Sequence, residues 1–237
     1  LLAGQSEAAF ADFGLAILSS PQYASAQAFQ AYALYLMGEP AAALTSAERA
    51  LALDSRSAEG MHVRGLVLRA QGRPADAAAD LEAAIAADPG NAAMLIDLGE
   101  TYALLRNYPQ AQSDLEAAVR FDPASAVPYL RLARFHLDSL VNIEAGMAAA
   151  RQAVELAPDS GEARDLLGWG LYLTGQQAEA LAELGRAVSL APASASAHFH
   201  LGLAAARSGE TEMARRELQR AVDLDVNGDV EPRAAKA

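Results

Sequence analysis

No cysteine occurs in the 237 residues. Disulfides, thiolate metal centres and cysteine nucleophiles are therefore excluded, whatever the compartment. Lysine is almost as scarce: Lys236 is the only one, so cationic charge rests on arginine. Positive charge is short overall, with 18 Lys and Arg against 30 Asp and Glu, a net charge of −12 and a pI near 4.7. An acidic surface repels phosphate backbones and anionic headgroups, so nucleic acid and membrane surfaces are not expected partners. Long apolar runs are missing too. A stretch such as AAFADFGLAILSS is broken by Asp12 and is too short for a bilayer span, which argues against membrane insertion. No signal-peptide pattern is visible. The chain opens on Leu1 rather than Met. A trimmed start or a removed leader would account for that, and export is the expectation ahead of the cytoplasm.

Apolar residues, by contrast, make up 52% of the chain, enough for a folded body. Their distribution is periodic, and a fixed period has to be examined before local structure is read. One column reads Pro21, Ser55, Pro89, Pro123, Pro158, Pro192, Val226; every step is 34 residues except the 35 from Pro123 to Pro158. A second column is alanine throughout: Ala16, Ala50, Ala84, Ala118, Ala153, Ala187, Ala221. A third reads Ala9, Ala43, Ala77, Ala111, Gly146, Ala180, Ala214, and a fourth joins Gly65, Gly99, Gly168 and Gly202 with Ala31 and Ala133. Each unit has room for two helices. In the unit at 92–125, Leu95, Leu98, Gly99 and Tyr102 follow the 3-4 spacing of a helical stripe. "RNYP" interrupts it, and Ala111, Leu115, Ala118 and Val119 form a second stripe. Asp122-Pro123 closes the unit, because proline lacks the amide donor and disfavours helix in the residue before it. Gly38, Gly72, Gly175 and Gly209 mark the inter-helix turn elsewhere, where a positive φ is expected. The small columns let helix backbones approach closely.

The pattern Leu98-Gly99 to Tyr102, with Ala111, Leu115, Ala118 and Pro123, resembles the tetratricopeptide repeat family. The resemblance extends over nearly the whole chain. It implies an all-α fold, a right-handed superhelical solenoid of antiparallel helix pairs. One domain over 1–237 would hold six repeats at 24–57, 58–91, 92–125, 126–160, 161–194 and 195–228, with a tail at 229–237. Residues 4–23 keep register as the second helix of a further unit, so the chain is expected to begin in mid-repeat. The first full unit departs from the pattern at Gln30 and Ala47. The fourth carries an extra residue near HLDSLVN, so its inter-helix turn should differ.

Catalytic chemistry finds little footing. The two histidines of HFH, His198 and His200, would point about 200° apart on a helix and could not share an ion. All four histidines, His62 and His136 included, are expected as satisfied or exposed residues. No serine-histidine-acid arrangement, Gly-rich phosphate loop or zinc-hydrolase motif occurs, and no cofactor is expected. Paired carboxylates such as Asp80 and Glu82 read as solvated helix faces. Asp223, Asp225, Asn227 and Gly228 are spaced like the start of a calcium loop. Ala234 stands where a bidentate glutamate is needed, and the repeat frame makes the same residues a terminal turn.

The resemblance also implies a concave groove lined by the first helices. Carried over position by position, it comprises Tyr32 and Tyr35; His62, Leu66 and Arg69; Ile96 and Glu100; Leu130 and Arg134; Asp165, Trp169 and Tyr172; Phe199 and Leu203. About half of such aromatic and aliphatic stripes are packing rather than binding residues. The remainder would make a trough suited to an extended or helical protein segment. The family's carboxylate clamp, which grips acidic chaperone tails, needs lysine and asparagine where this chain has His62, Leu66, Ile96 and Glu100. That role is therefore not expected. Two functions from different classes follow: a non-catalytic interaction scaffold, or a structural subunit that binds copies of itself head to tail. The second rests on Phe10, Leu15 and Leu18, beyond what the repeat needs, and on an open C-terminal unit around Met213 and Leu218.

Overall fold

The computed structural model describes residues 2–20, 22–139 and 141–225. Among them are thirteen helices and no strands. The chain divides into two compact units, Leu1–Phe121 and Asp122–Ala237. Unit 1 contains α1 (Leu2–Ser19), α2 (Ala24–Leu36), α3 (Pro40–Leu53), α4 (Ala58–Ala70), α5 (Pro74–Ala87), α6 (Ala92–Leu104) and α7 (Tyr108–Phe121). Unit 2 contains α8 (Ala126–Asp138), α9 (Ile143–Leu156), α10 (Gly161–Leu173), α11 (Gln177–Leu190), α12 (Ala195–Arg207) and α13 (Thr211–Leu224). From α2 onward, even-numbered helices open a hairpin and odd-numbered helices close it. The tail at 229–237, Pro21, and the calcium-like stretch from Val226 onward lie outside the described residues.

Local chemistry explains where the helices start and turn. The residue before each first helix forms a column: Tyr23, Ser57, Asn91, Ser125, Ser160 and Ser194. From Ser57 onward its side chain accepts a backbone amide of the first turn, as Ser160 does from Ala163 at 3.2 Å. These oxygens satisfy donors that the helix itself leaves orphaned. Tyr23 offers no such bond to α2. Inside the hairpins, Gly38, Gly72, Gly175 and Gly209 take φ between 76° and 81°. Arg106 fills the same turn position at φ 58°, a left-handed conformation in which a Cβ is strained. The fourth hairpin closes differently, as its extra residue predicts: Asn142 caps α9 by accepting from Ala145 N at 3.0 Å.

The small columns lie where helices meet. Ala50, Ala84, Ala118, Ala153, Ala187 and Ala221 are fully buried, as are Ala31, Ala43, Ala77, Ala111, Ala133 and Ala180. A Cβ on Gly65, Gly99, Gly168 or Gly202 would come within 2.6–2.9 Å of Cγ of Leu81, Leu115, Leu184 or Leu218 respectively. In these four hairpins one leucine of the second helix thus occupies the space that the first helix leaves by lacking a side chain, at the density of a protein interior. Polar clips join hairpin partners as well. Arg64 binds Asp80 through two bonds of 2.6 and 2.7 Å, Arg164 binds Glu183 at 2.8 Å, and His198 binds Glu217 at 2.8 Å. Asp80 is therefore an ion-pair member with little exposure rather than part of a solvated face.

Candidate functional site

In each unit the first helices stand side by side, α2, α4 and α6 in unit 1 and α8, α10 and α12 in unit 2. Their shared face carries polar and aromatic side chains, of which Tyr35, Trp169 and Tyr172 also pack against the buried cores.

On unit 1, Asp97 organises the face. One carboxylate oxygen meets His62 Nε2 at 2.7 Å, and the other accepts from Arg69 at 3.0 Å. Arg69 also donates to the Asp97 carbonyl at 3.0 Å and reaches Glu100 at 3.4 Å. The His62 ring stacks on Tyr32, with centroids 6.4 Å apart. Tyr32 is 40% exposed. Its hydroxyl is held above the ordinary tyrosine range, first by burial, then by the charge of Asp97 and by Tyr35.

On unit 2 the organising acid is Asp165, which is almost fully buried. His200 Nδ1 lies 2.8 Å from one of its oxygens, and Ser196 donates to the other at 2.8 Å. The imidazole of His200 stacks on Trp169 with centroids 4.3 Å apart and planes 13° from parallel. Trp169 stacks in turn on Tyr172 at 5.1 Å. The Arg207 guanidinium lies 5.2 Å from the Tyr172 ring centroid and donates to the Tyr172 carbonyl at 3.1 Å. The result is a run of four planar groups, Arg207, Tyr172, Trp169 and His200, held at one end by a buried carboxylate. Nearer α8, Arg131 and Arg134 both bind Glu162, at 3.2 and 2.7 Å.

The residues expected to line the groove fall into two classes. Leu66, Ile96, Leu130 and Phe199 are buried and serve packing, with Asp165 buried beneath the aromatic stack. Tyr32 and Arg134 are exposed, while Tyr35, His62, Arg69, Glu100, Trp169, Tyr172 and Leu203 are half-buried. The sequence reading gives Asp97, Arg131, Glu162, Ser196, His200 and Arg207 no place on this face, where they hold these side chains; it expects His200 only as a satisfied or exposed histidine. A signal for two of them was present: His62 to Asp97 and Asp165 to His200 are both separated by 35 residues. HFH also separates as the helix period requires, His198 pointing to Glu217 on α13 and His200 to Asp165 on α10.

Of the residues proposed for self-association, Phe10 packs against the cluster of Ala31, Leu34 and Val67, and Phe13 stacks on Phe29 at 5.3 Å. Leu15 and Leu18 are 63% and 80% exposed. Met213 packs on the core of unit 2, and Leu218 fills the space beside Gly202. Among the described residues no helix is long and apolar enough to cross a membrane, and no group of three or more metal-ligating side chains converges.

Comparison with known proteins agrees with this architecture. Over 98% of its length the chain superposes on a component of the APC/C hetero-tetramer Cut9-Hcn1 with a TM-score of 0.79 at 13% identity, and it spans 46% of that chain. A tetratricopeptide repeat protein from Parabacteroides merdae matches 98% of this chain and 92% of its own, with a TM-score of 0.74 and 17% identity. YrrB, a TPR protein with an unusual peptide-binding site, matches 81% of this chain and 98% of its own, with a TM-score of 0.55 and 22% identity. At such identities the likeness is one of fold. No match to a curated protein reaches significance. Sequence profiles described as tetratricopeptide repeat match residues 62–126 and 195–226, and one described as TPR repeat matches residues 171–209. With the 34-residue period and the helix pairs, these matches show that the chain belongs to the tetratricopeptide repeat family.

Proposed function

We propose that this chain is a non-catalytic scaffold that holds a protein segment against the shared face of its first helices. Tetratricopeptide repeats are general protein-interaction modules, so the finer reading concerns where and with what. The observation that carries it is the Arg207–Tyr172–Trp169–His200 run on unit 2. Four planar groups are braced by Asp165, Ser196 and a backbone carbonyl, and half-buried aromatics remain at the surface. Packing alone does not require a buried carboxylate to fix an imidazole against a tryptophan. Rigid aromatics held this way lose little freedom on binding and commonly anchor partners. Tyr32 and Tyr35 take the corresponding place on unit 1. The similarity to YrrB supports a peptide as the kind of ligand.

The test compares two surfaces. Trp169→Ala should weaken the binding of a selected peptide ligand about tenfold or more while the fold is kept. Arg186→Glu, at an exposed position of the second helix α11 and outside the face of the first helices, should leave affinity unchanged. The reverse pattern would refute the reading. A second reading, self-assembly, rests on the exposure of Leu15 and Leu18. Replacing both with Glu should abolish concentration-dependent association in light scattering; a parent chain that stays monomeric at high concentration and high salt removes this reading.

A further inference from the structure

We propose that Asp114, Glu82 and Tyr102 form a proton-binding cluster on unit 1 that makes the α6/α7 hairpin tighter in mildly acidic solution than at neutral pH. The argument begins with a column. At 34- or 35-residue steps, the second helices of four hairpins carry an acid facing their first helix: Asp80, Asp114, Glu183 and Glu217. Three of the four meet a basic side chain of the same hairpin. Arg64 clips Asp80, Arg164 clips Glu183, and His198 meets Glu217. Asp114 has no such partner. The position from which Arg64 reaches Asp80 is occupied, one repeat later, by Leu98, and the position of Arg164 and His198 by Leu95. Both leucines are buried.

Asp114 is itself 8% exposed, and its Oδ2 is enclosed without a hydrogen-bond partner. The titratable groups facing it are Glu82 from α5 and Tyr102 from α6, whose hydroxyl donates to Glu82. The charge acting on Asp114 is thus a second carboxylate, where the other three acids each meet a basic side chain. Burial pushes the Asp114 carboxyl up to about 6, and the charge of Glu82 adds to the shift. Tyr102 is pushed up to about 12, first by its bond to Glu82, then by burial and by the charges of Glu82 and Asp114. With buried leucines at both positions that supply a base elsewhere, the proton is the partner that completes this enclosed oxygen.

The direction of the pH effect follows. Asp114 binds its proton more tightly folded than unfolded, so its contribution to stability is full below about 4 and is lost as pH rises through about 6. Asp80, in the preceding hairpin, has the bidentate partner Arg64 that Asp114 lacks.

The experiment is a carbon-13 carboxyl NMR titration of Asp114 in the full chain, with thermal melts of wild type and Asp114→Asn from pH 4.5 to 8. The expected midpoint lies near 6, moving down in Glu82→Gln. The asparagine variant should melt several degrees above wild type at pH 8, and the gap should narrow steadily towards pH 4.5. A midpoint in the ordinary range near 4, or identical melting of the two chains at pH 8, would overturn the proposal. The titration decides the matter even if a variant fails to fold.

Discussion

Units 1 and 2 build the same contact from opposite residues. In unit 1 the fifth position of a first helix supplies the histidine, His62, and the sixth position of the next supplies the acid, Asp97. In unit 2 the fifth position supplies the acid, Asp165, and the sixth the histidine, His200. Both pairs bridge neighbouring first helices on the same face. At these two positions the repeat frame accepts a hydrogen-bonded acid–histidine pair in either order. The surroundings then diverge. Asp97 spends its second oxygen on Arg69, which leads on to Glu100, so the unit 1 face is charged with tyrosines at its edge. Asp165 spends its second oxygen on Ser196, a neutral donor, and the charge is replaced by stacked rings. A common frame thus carries two differently furnished faces.

Overpacking gives the largest expected effect, and it tests whether the two units share one packing rule. Leucine at Gly168 in unit 2, or at Gly99 or Ala118 in unit 1, should each cost about 1–3 kcal/mol or more, read as lowered melting temperature. A variant that melts like the parent in one unit alone would show that the column does not mean the same thing in both. Exchange of the pair comes next. Asp165→His alone leaves Ser196 without its acceptor and sets two imidazoles face to face, at about 1–3 kcal/mol. Adding His200→Asp recreates the order of unit 1 and should recover most of that loss. Failure of the double variant to recover would mean that the aromatic stack fixes the order. Smaller again is the cap: Tyr23→Ser gives α2 the oxygen that other first helices have, and should add about 1 kcal/mol. Smallest is Arg106→Gly, which relieves a left-handed turn and should add about 0.5–1 kcal/mol.

Much of the fold was legible because its signals recur. Ala118 alone says little, but alanine at every step of its column identifies a close helix contact, and from Ala50 onward those alanines are buried. The face of the first helices was legible as a location and less so as chemistry. Leu66, Ile96, Leu130 and Phe199 sit at groove positions yet are consumed by packing, since the same helix side meets both a neighbour and solvent. Asp97, Ser196 and His200 were missed because each becomes meaningful only with its partner on another helix. The same holds for Asp114: its column is visible in the sequence, but the absence of its cation shows only when Leu98 is placed where Arg64 stands. The clips at Asp80, Glu183 and Glu217 look like surface charge until the hairpin is closed.

The measurement that bears most directly on the scaffold reading uses the only tryptophan of the chain, Trp169. Its emission reports the unit 2 face with no added label. Peptides selected from a random displayed library against the folded chain should shift that emission in step with binding. Their affinity should fall about tenfold or more in Trp169→Ala and hold in Arg186→Glu. Binding that leaves Trp169 emission untouched and survives its replacement would place the partner elsewhere and contradict the account.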